Sequence, residues 1–197
     1  MPRHIDPDQR RQEVAQAVWR VIRRSGLAKA SVRAVAEEAG LAVGSLRHYF
    51  SEQHGLWLYA CELINTRIEE RLEHVDMTAP VRERIENMIW AQLPVTAEQI
   101  EEEQVRLAFL VQSRTDPELA ATASEHRAAA VHLTRQAITA LRDSGHASPT
   151  VDVEATTVEL LALLDGLAQA AALNPDSMPG HRLKAAVTRW LDQLRPG

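Results

Sequence analysis

Apolar side chains return every three or four residues along almost the whole chain, and short breakers interrupt them. The first stripe is Val14, Ala17, Val18, Val21 and Ile22. It predicts a helix from about Pro7 to Ser25, stopped by Gly26. A second helix begins after Ser31, a good N-cap, and ends at Gly40. A short third covers about Val43 to Tyr49, and a fourth runs from near Glu52 to about His74 on Leu56, Tyr59, Ala60, Leu63, Ile64 and Ile68. Pro80, just after Thr78, opens a fifth helix that Pro94 ends. Thr96 and Gln99 have capping-box spacing for a sixth, and Asp116-Pro117 places a cap before a first-turn proline for a seventh. Gly145 and Pro149 precede an eighth, from about Asp152 to Leu173; Asn174-Pro175 and Pro179-Gly180 precede a ninth. Nine helices and no strand make an all-α chain. A soft boundary near Ser51 divides it into residues 1–51 and a larger domain, 52–197.

Composition narrows the picture. Cys61 is the single cysteine, which excludes an intrachain disulfide and a cysteine zinc site. No metal-binding histidine spacing, glycine-rich phosphate loop or other cofactor motif occurs, so neither metal nor cofactor is expected, and no enzyme. The first twelve residues lack an apolar signal core. The most apolar stretch, Val158 to Leu173, is broken by Glu159, Asp165 and Gln169, so a cytoplasmic protein without a membrane span is expected. The net charge is −5, but residues 1–55 hold nine basic and six acidic side chains. A basic head on an acidic body suits one end approaching phosphates.

The segment Ser31-Val-Arg-Ala-Val-Ala-Glu-Glu-Ala-Gly-Leu-Ala-Val-Gly-Ser-Leu-Arg-His-Tyr-Phe50 carries the strongest signal. Its apolar positions are Val35, Ala39, Leu41, Leu46 and Tyr49. Ala36 sits where two short helices cross closely, and Gly40 sits at the turn between them. Two short helices so joined form a helix-turn-helix, whose second helix enters the major groove. The same pattern also fits an αα-corner in a bundle.

Followed by Ser51-Glu-Gln-His-Gly-Leu-Trp57, this segment resembles the DNA-binding domain of the tetracycline-repressor (TetR-type) family over about residues 8–60. Asp116-Pro117-Glu-Leu and Leu161-Ala-Leu-Leu-Asp-Gly-Leu-Ala resemble the C-terminal region of its betaine-repressor-like branch. The resemblance implies about nine helices, a three-helix reading domain, a homodimer and a ligand pocket in the larger domain. It places Ser31 and Arg33 against backbone phosphate, and puts Val43, Gly44, Ser45, Arg47, His48 and Tyr49 on the recognition helix. Arg47 suits bidentate reading of guanine or a phosphate grip. His48 and Tyr49 suit phosphate or sugar contacts, which position rather than specify. Three positions depart from the family: Ala42 replaces a Ser/Thr cap, Arg47 a frequent Tyr, and Gln53 a frequent Lys near phosphate.

In the larger domain, Leu107 to Val111 make the sixth helix apolar nearly all round, as for a central buried helix. Met88, Trp90, Leu93 and Phe109 are candidate ligand-pocket walls, although plain core packing explains each of them more readily. Arg106, Gln112, His132 and Asp165 are polar residues in apolar stretches and candidates to orient a ligand. Asp165 reads as a buried carboxylate needing a partner. Glu102 and Glu103 read as an acidic first turn of the sixth helix. The eighth helix is apolar on more than one face, and the ninth carries Leu183, Val187, Trp190, Leu191 and Leu194. Together they suit a four-helix dimer interface, although a single core stripe also explains the ninth. The expected partners are therefore double-stranded operator DNA, a small-molecule effector and a second copy of the chain. The expected function is a dimeric DNA-binding regulator that releases a palindromic operator when ligand binds. The alternative is a helical small-molecule carrier or bundle-pocket enzyme without DNA binding.

Overall fold

Breakers and caps place the helix ends in a computed structural model that describes residues 7–50 and 52–196, leaving aside the side chains of residues 7–9, 48 and 49. The helices are α1 (Pro7–Ser25), α2 (Val32–Glu38), α3 (Val43–Tyr49), α4 (Gln53–Glu73), α5 (Val81–Gln92), α6 (Ala97–Gln112), α7 (Pro117–Asp143), α8 (Val153–Leu173) and α9 (Gly180–Asp192). A 3-10 turn, Leu27–Lys29, joins α1 to the α2 cap and was not legible in the apolar spacing. Among the described residues there is no strand.

The anticipated caps form. Ser31 Oγ accepts the Ala34 amide at 3.2 Å. Thr96 and Gln99 exchange the two bonds of a capping box, at 3.2 and 2.9 Å. Asp116 accepts the Glu118 and Leu119 amides at the start of α7. Asp152, read as the start of the eighth helix, is its cap and accepts the Glu154 and Ala155 amides.

Contacts divide the chain into two compact units: residues up to 67 with 104–120, and 68–103 with 121–197. The unit limits thus lie inside α4, α6 and α7. In the first unit, Val14, Val18, Val35, Leu46 and Leu56 are fully buried. Two tryptophans tie this core to backbone. Trp19 donates its indole N–H to the Ala60 carbonyl at 2.8 Å, and Trp57 donates to the Ala30 carbonyl at 2.9 Å. Residues 104–120 add buried Val105, Phe109 and Leu119.

The core of the second unit joins Ile85, Ile89 and Leu93 of the α5 region to Ile138 and Leu141 of α7, Leu160 and Ala171 of α8, and Leu183, Val187 and Leu191 of α9. Arg82 on α5 pairs with Glu86 at 2.9 Å and reaches Asp192 at 3.2 Å, while Thr188 donates to Glu86. Gly180 lies so close to the α5–α6 loop that a Cβ there would fall 2.3 Å from the Val95 carbonyl oxygen.

Several expectations change. α6 is not buried all round: Leu110 is 38% and Val111 72% exposed, because apolar neighbours line only its Val105–Phe109 face. Glu102 and Glu103 are buried in the second turn, not part of a solvated first turn. Arg71 on α4 pairs with Glu102 at 3.0 Å, satisfying a carboxylate that burial would otherwise penalise. α8 is long and apolar enough, by length and composition, to cross a membrane, yet Leu160 and Ala171 on it sit in the helical core.

Candidate nucleic-acid interface

The reading head is built by anchoring a short helix on one side chain. Leu46 is fully buried and fixes α3 from below, while Val43, Gly44, Ser45 and Arg47 stay exposed. Ala36, 1% exposed, allows the close crossing at α2 that its small side chain suggested. Gly40 has φ +66°, a conformation costly for other L-residues, and turns the chain from α2 towards α3. Phe50 closes the head from the far end, its ring 5.4 Å from that of Tyr59 on α4.

Arg47 and Arg33 are exposed and make no ion pair or hydrogen bond among the described residues. Ser31 is half-buried; its oxygen is occupied as the α2 cap, leaving the hydroxyl hydrogen to donate outward. Ala42 makes no side-chain cap, so the first amides of α3 have no side-chain acceptor there. The readings of His48 and Tyr49 fall on side chains outside the described residues.

Two of the basic side chains of the head are engaged within it. Arg20 and Arg24 on α1 both bind Glu38 on α2, each at 2.8 Å. Those bonds, from Arg20 first and then Arg24, hold the Glu38 carboxyl below the usual carboxylate range. The triad is a brace between helices, and Arg33 and Arg47 are left to face outward.

The candidate pocket residues scatter by environment. Arg106, Phe109 and Gln112 belong to the first unit, where Phe109 is buried and Gln112 donates to Thr115 at 3.5 Å. Met88, Trp90 and Leu93 belong to the second unit, with Leu93 in the core and Trp90 packed against it under the Lys184 ammonium, 4.8 Å from the ring. His132 is exposed. Asp165 is not buried: its side chain is 53% exposed and pairs with Arg127 on α7 at 2.7 Å, so the partner that burial seemed to demand is a surface one. Cys61 is half-buried, and burial pushes its thiol up to about 11, away from a reactive thiolate.

Sequence reasoning missed the Glu38 brace and a group at His54, whose ring lies between Asp116 and Glu118. Neither has a local signal, since the partners are separated by turns or by about sixty residues of chain.

Comparisons with known proteins agree with this geometry. The family described as bacterial regulatory proteins, tetR family, matches residues 16–58, and that described as BetI-type transcriptional repressor, C-terminal, matches residues 80–196. The HTH-type transcriptional regulator PksA of Bacillus subtilis is 30% identical over 195 residues, covering 98% of this chain and 94% of that protein. A transcriptional regulator from Pseudomonas aeruginosa PAO1 superposes with TM-score 0.82 at 25% identity, covering 97% of this chain and 92% of that one. A regulator from Saccharomonospora viridis, solved in complex with choline, superposes with TM-score 0.83 at 18% identity over 94% of this chain and 96% of that one, a likeness of fold alone. With a helix-turn-helix at one end and a BetI-type helical region over the rest, the chain belongs to the TetR family of DNA-binding transcriptional regulators.

Proposed function

We propose that the chain is a dimeric cytoplasmic repressor without catalytic activity, released from a palindromic operator when a small molecule binds its larger domain. TetR-family regulators bind operator DNA and small-molecule effectors. In this reading residues 1–51 read DNA, and 52–197 bind effector and partner. The observation that carries it is the α3 face, where exposed Ser45 and Arg47 stand above a fully buried Leu46. Arg47 reads base edges; Ser31 and Arg33, with His48 and Tyr49, hold the sugar-phosphate backbone.

The partner surface is assigned to α8 and α9. Ala155, Val158, Ala162, Gly166, Gln169 and Leu173 recur at three- and four-residue spacing along one exposed side of α8. Val158 and Leu173 on it are 67% and 64% exposed, more than isolated apolar residues need. α9 buries its apolar stripe in its own subunit, so its exposed His181, Arg182 and Arg189 supply a polar rim rather than a second apolar face.

An effector that weakens operator binding tenfold needs about 1.4 kcal/mol of preference for the DNA-incompetent state, and operator must weaken effector binding by the same factor. The test of the DNA-binding reading is a polarisation titration of the full chain against specific and random duplexes at several salt concentrations. A steep salt slope with a sequence-specific component supports the regulator; equal, weak binding to all duplexes supports the carrier.

A further inference from the structure

The first turn of α4 follows the recognition helix almost directly, and it holds a histidine between two carboxylates. His54 Nδ1 lies 3.4 Å from Asp116 Oδ2, and His54 Nε2 lies 2.9 Å from Glu118 Oε2. The His54 and Asp116 side chains are 29% and 15% exposed, while Glu118 is 70% exposed. Asp116 serves twice: Oδ1 accepts the Glu118 and Leu119 amides and so starts α7, while Oδ2 faces the imidazole. Leu119, the next buried residue, is 2% exposed and seats that turn. Nε2 is buried without a well-aligned hydrogen bond, so its approach to Glu118 is an ion-pair contact. Both ring nitrogens thus face carboxylate oxygens within ion-pair distance.

We infer that His54 is a positioning residue for DNA binding: it clasps the start of α4, and with it the recognition helix, to the α6–α7 turn. The inference rests on reading the chain as a two-headed DNA-binding regulator. Residues 104–120 belong to the same compact unit as the head, and α6 and α7 continue from that segment into the other unit. Arg23 on α1 also meets Gln104 on α6 at 3.2 Å, a second polar link on the same segment. The charged groups that face the ring among the described residues are Asp116, from the turn, and Glu118, from α7. A clasp that fixes head orientation lowers the ordering cost of docking both heads at once, but does nothing for one head on one half-site.

That distinction sets the experiment. Select a duplex from random DNA with the parent protein, then measure the affinity of the full dimer for the whole operator and for an isolated half-site. Compare the parent with His54→Gln, His54→Lys and Asp116→Asn, the last of which keeps a good helix cap. With roughly three-fold for each of two clasps, His54→Gln and Asp116→Asn should bind the whole operator about tenfold more weakly. Half-site affinity should stay at the parental value, and His54→Lys, which places a positive charge between the two carboxylates, should restore whole-operator binding. Parental whole-operator affinity in His54→Gln, equal losses on both duplexes, or a His54→Lys variant no better than His54→Gln would each overturn the inference. A parent that selects no duplex at all refutes the regulator reading itself, a different result from any of these.

Discussion

Arg47 and Glu38 show how single side chains divide the labour of the head. Both lie in a basic segment, but the arginine faces outward while the glutamate binds two arginines of α1. Arg47→Ala should relax preference at one operator position, costing about 1–3 kcal/mol against the best base if the contact is bidentate to guanine. Competition among single-base operator variants measures it; a variant protein that ranks all sequences as the parent does would remove Arg47 from base reading. Glu38 makes a pH prediction. Its carboxyl is held below its ordinary value in the fold, so its contribution is present above the unfolded pKa of about 4.3 and fades as pH falls through the lower folded value. Glu38→Gln should therefore melt below the parent at neutral pH, and the gap should narrow as the pH falls into the acid range. A gap in Tm that is unchanged from pH 7 to pH 3 would show that the brace is not electrostatic.

At the scale of elements, periodicity and caps carried most of the information. The α1 stripe, the Thr96–Gln99 box and the Asp116 cap all formed because each depends on neighbours within four residues. Leu46 was legible as the anchor of α3 for the same reason. What spacing leaves unresolved is which side of an apolar helix meets a neighbour. Asp165 sits among leucines in sequence yet on the outer side of α8, and Val111 continues an apolar run yet lies in solvent. Tertiary pairs such as His54 with Asp116 were invisible because nothing local links them. Gly180 is a comparable case, read as a breaker but placed against backbone. Its missing Cβ lets the start of α9 approach Val95, so Gly180→Ala forces two backbones apart. Overpacking of this kind costs about 1–3 kcal/mol, which in a chain of this size lowers Tm by several degrees, roughly 2–4 °C per kcal/mol. An unchanged Tm in a thermal melt would mean that the α5–α6 loop yields without strain.

For the whole molecule, the proposed function joins a small reading head to a helical body that both pairs with a copy of itself and answers a ligand. Pairing is tested first. Val158→Glu places a charge near the N-terminal end of the exposed α8 side and should convert dimer to monomer in sedimentation at micromolar concentration, with operator affinity falling in parallel. A Val158→Glu dimer of parental stability would move the interface away from α8. The central claim, that two copies of α3 read one inverted repeat, is tested most directly by selecting bound duplexes from a random DNA library with the full-length protein and sequencing them. The expected result is an enriched inverted repeat, with half-site centres in successive major-groove faces, about 34–36 Å or a multiple apart. Enrichment of no motif, or of a single unrepeated one, would contradict it.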